Sequence, residues 1–228
     1  MSKIIHIKDL TWVQQGRTIL NIPDFSVDAE ETVSIMGPNG AGKSSLLFIM
    51  AGLQEPSSGT ISLFGKNIKE FSPLELHRRV AVVFQKPMMF DLTVMENLEL
   101  GLKFRGVKPK ERMNKIEPWL EKMHLTHLVK RRARSLSGGE AQRVSIAQAL
   151  VVDPEIIFLD EPFANLDKDI RQEIMGEIRE LIVSRKITTV MVTHHRLEAV
   201  KMTNSICYME DGEIIKRETI GLLNKRTS

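Results

Sequence analysis

Short apolar runs separated by amphipathic stretches organise this chain. Glu30 to Met36, with Val33, Ile35 and Met36, and the nearly continuous runs Glu155 to Leu159 and Thr188 to Val192 predict short strands buried on both faces, the habit of a parallel sheet. Ile4 to Ile7 alternates as a strand, Thr18 to Val27 reads as extended with a break near Pro23, and Arg79 to Phe84 reads as a strand ended by the polar Gln85-Lys-Pro87. Lys43 to Leu53 predicts a helix carrying Leu46, Leu47, Ile49 and Met50, stopped around Gly52. A turn at Pro56 to Gly59 precedes Thr60 to Phe64, a strand suited to an antiparallel edge. Helical spacing recurs at Thr93 to Leu102, Lys110 to Met123 and Ser137 to Val151, and Asp169 to Ser184 reads as an amphipathic crossover helix. Ile206 to Met209, Asp211-Gly212 and Ile214-Ile215 predict a terminal hairpin. The expected fold is an α/β core with an antiparallel β edge and an inserted helical subdomain. Residues 1–87 and 152–228 would form the core and its β part, and 88–151 the insertion, within a single domain over 1–228.

Composition narrows the classes. The 228 residues are 42% hydrophobic and 27% charged, ordinary for a folded domain able to bury a substantial core. No run approaches the roughly 20 apolar residues that span a bilayer. The N-terminus enters a strand without a separate leader segment, so a cytoplasmic chain is expected. A single cysteine, Cys207, excludes an internal disulfide and reads as a small core residue. The net charge of +3 is modest. Lys130, Arg131, Arg132 and Arg134 could touch phosphates, but no aromatic platform accompanies them. A solvated face is the expectation, with no nucleic-acid partner.

Candidate chemistry centres on Gly37-Pro38-Asn39-Gly40-Ala41-Gly42-Lys43-Ser44, a GxxxxGK[ST] phosphate cradle that Ser45 continues into the helix. Strand, glycine loop and helix is the context such a P-loop requires. Its glycines permit close backbone approach, and its amides together with the helix start can face phosphate oxygens. Lys43 can reach the β and γ phosphates, and Ser44 can ligate magnesium, implying a bound nucleotide with Mg2+. The run Glu155 to Leu159 ends in Asp160-Glu161, two carboxylates that are costly at the end of an apolar strand unless metal or solvent receives them. Asp160 can organise the metal through its hydration shell, and Glu161 can polarise an attacking water.

These elements, with Leu136-Ser-Gly-Gly-Glu140 about a hundred residues after the cradle, resemble an ABC transporter ATP-binding subunit over essentially the full length. The resemblance implies that Gln85 senses magnesium and the γ phosphate. It makes Ser137, Gly138, Gly139 and Glu140 the signature motif, places Asp167 in the D-loop, and makes His194 the switch histidine. Two ATP molecules would then be sandwiched in a head-to-tail homodimer, because one compact chain cannot readily bring both anion sites to one γ phosphate. Isolated, Ser137-Gly-Gly could be only a helix cap and His194 only a structural histidine.

The chain departs from the family pattern in places. Gln14 stands where the family stacks an aromatic on adenine. Trp12, two residues earlier, could stack there or pack in the core. Glu140 replaces a glutamine, His195 an aspartate, and Asn165 a commoner serine. Met88, Met89, Phe90 and Leu92 could pack into the insertion or receive a coupling helix from a membrane subunit. The resemblance favours a prokaryotic importer, with a weaker likeness to oxyanion systems such as tungstate or molybdate. It implies two transmembrane permease subunits, an extracytoplasmic solute-binding protein, and a peripheral position on the cytoplasmic face of the membrane. With the predicted hairpin close to its last residue, no regulatory β-domain is expected. An exporter or lipid-transport ATPase and a nontransport ABC ATPase are the alternatives.

Overall fold

The computed structural model describes residues 2–220. Strands β1 (Lys3–Gln14) and β2 (Arg17–Asp28) form a hairpin, and β3 (Thr32–Met36) leads to helix α1 (Lys43–Met50). Next come β4 (Ser58–Leu63), the two-residue β5 (Lys66–Asn67), α2 (Pro73–Arg79) and β6 (Val80–Val83). Helices α3 (Val94–Phe104), α4 (Pro109–Lys122) and α5 (Gly138–Leu150) stand between β6 and β7 (Ile156–Asp160). Helix α6 (Lys168–Ser184) crosses to β8 (Thr188–Val192), and α7 (Arg196–Met202) precedes the hairpin of β9 (Ser205–Glu210) and β10 (Glu213–Thr219).

One sheet has the order β10-β9-β3-β8-β7-β6 and the other β2-β1-β4-β5. In the larger sheet β9, β3, β8, β7 and β6 pair in parallel, and only β10 is antiparallel. The central strands β3, β7 and β8 are buried at every position, which explains their continuous apolar runs. Successive side chains of a strand face opposite ways. Ile156, Phe158, Val190 and Val192 accordingly join the core under α1 and the smaller sheet, while Ile157, Leu159 and Met191 join the core under α3 to α6. The two cores thus lie on opposite faces of one sheet. The predicted α/β class with an antiparallel edge and helices between β6 and β7 holds.

Three expectations need correction. The first strand runs to Gln14 rather than stopping at Ile7, and the second continues through Pro23. Both change phase at one place. In β1 the buried positions pass from Ile5 and Ile7 to Leu10 and Trp12; in β2 they pass from Leu20 and Ile22 to Phe25 and Val27. Asp9 has φ of 49° at this irregularity, and an extra residue there shifts the alternation. Pro23 is tolerated because β2 is an edge strand. Helices α2 and α7 complete the corrections, since both are too short for helical spacing to reveal them. For α2, however, a local signal existed: Ser72 caps the Glu75 amide, and Pro73 opens the first turn.

The expected antiparallel edge strand, β4, is antiparallel but lies one strand in from the edge, because its last two residues, Ser62 and Leu63, pair with the two-residue β5. It passes the Asp9 irregularity at Gly59, which has φ of 88°, and a Cβ there would lie 2.4 Å from the Asp9 carbonyl oxygen. Gly59→Ala is therefore expected to lower the unfolding free energy by roughly 1–3 kcal/mol in a urea titration. A midpoint equal to wild type would contradict this packing. The predicted terminal hairpin is present, and its turn at Asp211-Gly212 has φ of 44° and 83°, the left-handed pair that a two-residue I′ turn requires.

Candidate phosphate-binding site

Strand β3 carries the chain out of the sheet into the glycine loop, and α1 begins at Lys43. Gly42 is the N-cap, in the left-handed region at φ 91°, and no side chain caps the helix. The first amides of α1 are thus free to meet an anion. Glycine is required at the loop ends by space. A Cβ on Gly37 would stand 2.0 Å from the Met209 carbonyl oxygen, and one on Gly42 2.6 Å from Leu20 Cδ2. Hairpin β9–β10 therefore presses the loop from behind, while the space around Gly40 is open.

Lys43 is 6% exposed. Its ammonium donates to the carbonyls of Gly37 at 2.9 Å and Pro38 at 2.7 Å. Burial pushes its pKa down, against the pull of Glu161 and Asp160. Asp160, at the end of β7, is 3% exposed. Burial pushes its carboxyl above the ordinary range, and the Ser44 hydroxyl, donating to it at 2.9 Å, offsets part of that effect. A buried ammonium and a buried carboxylate, each held by few partners, favour a ligand that brings opposite charges to both.

Glu161 leaves the strand with φ of 43°, a sparsely populated conformation for a residue with a side chain. Its carboxylate is gripped from both sides: Gln85 Nε2 donates to Oε2 at 2.9 Å, and His194 Nδ1 lies 2.9 Å from Oε1. Gln85 follows β6, Glu161 follows β7 and His194 follows β8. Three adjacent parallel strands thus deliver three polar side chains to one edge, the place where ligands bind in open α/β sheets. The pocket, about 580 Å3, is lined by Ile19, Asn39, Gly40, Gly42, Lys43, Ser44, Ser45, Gln85, Glu161 and His194.

The structure therefore gathers most of the sequence-derived phosphate and metal residues, with Asp160 beneath Ser44. It adds Ile19, an apolar residue of β2 that sequence spacing gives no means of identifying. Trp12 is not brought to this pocket. At 9% exposure it packs with Leu10, Leu20 and the α1 residues in the core, the second of its two expected places. Nor are Ser137, Gly138, Gly139, Glu140 and Asp167 among the lining residues. Ser137 caps α5 in a reciprocal pair with Glu140: the Ser137 amide donates to Glu140 at 2.7 Å, and the Glu140 amide donates back at 3.3 Å. The Ser137 amide holds the Glu140 carboxyl below its usual range. Asp167 occupies the N-cap position of α6 without a side-chain capping bond and is exposed.

The residues present fit magnesium. Ser44 and Asp160 offer oxygen donors only, with the Gln85 side chain across the pocket. Among the described residues no cluster of three or more His, Cys, Asp or Glu side chains could hold a metal by itself. A partial oxygen shell is what a cation completed by phosphate and water requires.

Comparison with known proteins agrees with this geometry. A family profile described as ABC transporter matches residues 20–164. The molybdate/tungstate import ATP-binding protein WtpC of Thermococcus kodakarensis is 40% identical over 193 residues, covering 84% of this chain and 58% of its own length. The maltose/maltodextrin import ATP-binding protein MalK of Yersinia pestis is 38% identical, covering 84% and 52%. The sulfate/thiosulfate import ATP-binding protein CysA of Mycobacterium tuberculosis is 36% identical, covering 94% and 61%. The chain thus spans between half and two thirds of these relatives. A solved ATP-binding cassette, dimeric in a post-hydrolysis state with ADP and Pi, superposes with a TM-score of 0.87 at 31% identity, covering 95% of this chain and 98% of that one.

Proposed function

Because the chain belongs to the ABC transporter family, we propose that it hydrolyses ATP as a head-to-tail dimer and drives solute import through two membrane permease subunits. The observation that carries this reading is the Glu161 carboxylate, held at 2.9 Å by both Gln85 and His194 above a glycine cradle. Loop amides from Gly37 to Ser45, including those of Asn39 and Ala41, bind the phosphates, and Lys43 swings from its carbonyl partners to the β and γ oxygens. Ser44, Asp160 and Gln85 hold magnesium, which when bound neutralises charge on the phosphates. Glu161 takes the proton of an attacking water, and His194 fixes the carboxylate while facing the γ phosphate.

Ser137, Gly138, Gly139 and Glu140 meet the nucleotide of the opposite protomer, with Asp167 beside them, and residues 88–151 act as the arm that carries this surface. Support comes from their separation from the pocket within one chain and from the dimeric state of the superposed cassette. Ile19 supplies the apolar contact nearest the cradle. Met88 and Phe90 are exposed and Met89 packs inward. Met88, with Leu74 and Phe104, lines a cavity of about 350 Å3, and together with Phe90 it provides the permease-facing surface. No described helix is long and apolar enough to cross a membrane; the likeness to import ATP-binding proteins supports a peripheral position on the cytoplasmic face. The relatives are named for molybdate/tungstate, maltose and sulfate/thiosulfate import. An oxyanion is the solute class proposed here, on the molybdate/tungstate name of the 40% identical relative, to be delivered by an extracytoplasmic binding protein.

Phosphate release by the purified chain tests the reading. His194→Ala is expected to lower kcat by about 10²-fold, the scale of a lost general acid–base partner, with ATP affinity changed by less than about threefold. Retained turnover would remove His194 from the reaction.

A further inference from the structure

Glu198 is the buried carboxylate that the phosphate pocket does not use. It lies on α7, is 5% exposed, and its Oε1 accepts no hydrogen bond among the described residues. Its Oε2 accepts the Thr193 hydroxyl at 2.8 Å, and Thr193 Oγ1 accepts the His195 amide at 3.1 Å. Both ends of the His194 segment are thereby tied to this one side chain. From the other side, Arg171 of α6 places Nη1 3.6 Å from Glu198 Oε1, while its Nη2 donates to the Leu166 carbonyl at 2.8 Å. Arg171 Nε has no acceptor among the described residues. The preceding carbonyl, of Asn165, lies 3.1 Å from where a Cβ on Gly139 would stand.

A carboxylate so deeply buried is costly unless paired. One charge at 3.6 Å and one hydroxyl are a poor return if stability alone were served, since apolar residues of similar volume often do as well. What the pair does accomplish is a connection. We propose that Glu198 and Arg171 are positioning residues that hold the His194 segment and the 163–167 segment in one register. Resting on the function proposed above, this makes the pair a link between the two nucleotide sites. His194 serves the cradle of its own chain, whereas Asn165 abuts the signature helix α5, which serves the opposite one. Neither residue touches nucleotide; they act through His194 on one side and Gly139 on the other.

Two measurements on the full chain test the link. In steady-state kinetics Glu198→Gln and Arg171→Met are each expected to lower kcat about tenfold with KM for ATP within about twofold. The double variant should be no worse than the poorer single, because both break one connection. Arg171→Lys should retain most of the rate, and supplies the comparison should Glu198→Gln fail to fold. Losses that multiply in the double variant would overturn the proposal. In hydrogen exchange without nucleotide, Arg171→Met should speed exchange of the His195 amide, which Arg171 does not contact. Wild-type protection there would also overturn it. A wild-type chain lacking ATP turnover would instead defeat the proposed function, and the exchange comparison would still decide the link.

Discussion

A Glu161→Gln chain is expected to bind ATP, to lose turnover by about 10²–10⁴-fold, the range that general-base catalysis supplies, and to accumulate as a dimer. Glutamine is nearly the same shape as glutamate, so the cradle, Lys43 and Ser44 are undisturbed. It cannot, however, take a proton from water at neutral pH. Its amide also reverses one partner, because the oxygen that accepted from Gln85 Nε2 at 2.9 Å is replaced in one orientation by a donor. Binding should even tighten modestly, since removing a negative charge from a pocket that receives triphosphate lessens repulsion. With hydrolysis stopped, the phosphate bridging the two protomers persists, and size-exclusion chromatography with ATP and magnesium should show the dimer. A chain that stayed monomeric, or that turned over ATP within a few-fold of wild type, would contradict the role given to Glu161.

Lys43→Ala should fail earlier, at binding. In the described chain the ammonium is held by two loop carbonyls and buried beside Asp160 and Glu161. With alanine there, two carboxylates face the incoming phosphates without a compensating cation at the loop. Electrostatic contacts of this kind commonly supply about 10²–10³-fold in rate when removed singly. Turnover is therefore expected below roughly 1% of wild type, with ATP affinity, measured by calorimetry, reduced as well. Unlike Glu161→Gln, this variant should not form the ATP-dependent dimer. Equal ATP affinity in the two variants would mean that Lys43 stays with its carbonyls and never engages phosphate.

What the chain discloses in advance depends on how local the cause is. The cradle is legible because its constraint is backbone space: Gly37 and Gly42 leave no room for a Cβ, and the strand before and helix after are adjacent in sequence. The strands β3, β7 and β8 are legible because burial on both faces removes the polar–apolar alternation and leaves no charged residue ahead of their last position. The phase change at Asp9 and Pro23 is not, since an irregularity in one strand is defined by its partner. Trp12 shows the same limit, because whether it faces adenine or core is decided by which side of that irregularity it falls on. Helix α7 hides in seven residues, and the burial of Glu198 is imposed by α6 packing against it rather than by its neighbours in the chain. Gln85, Glu161 and His194 are far apart in sequence but follow adjacent strands, so residue type predicted their chemistry and topology supplied the distances.

The account depends on each nucleotide being completed by a signature from the other protomer, and mixing two inactive chains tests this most directly. Lys43→Ala retains its signature, and Ser137→Arg retains its cradle. If sites are shared between chains, a mixed dimer contains one intact composite site. Equal mixing should then restore roughly a quarter to a half of wild-type ATP turnover, a quarter if pairing is random and a half if only mixed dimers close, since each mixed dimer has one of two sites. Turnover no greater than the mean of the two parents would place cradle and signature at one nucleotide within one chain, and would contradict the account.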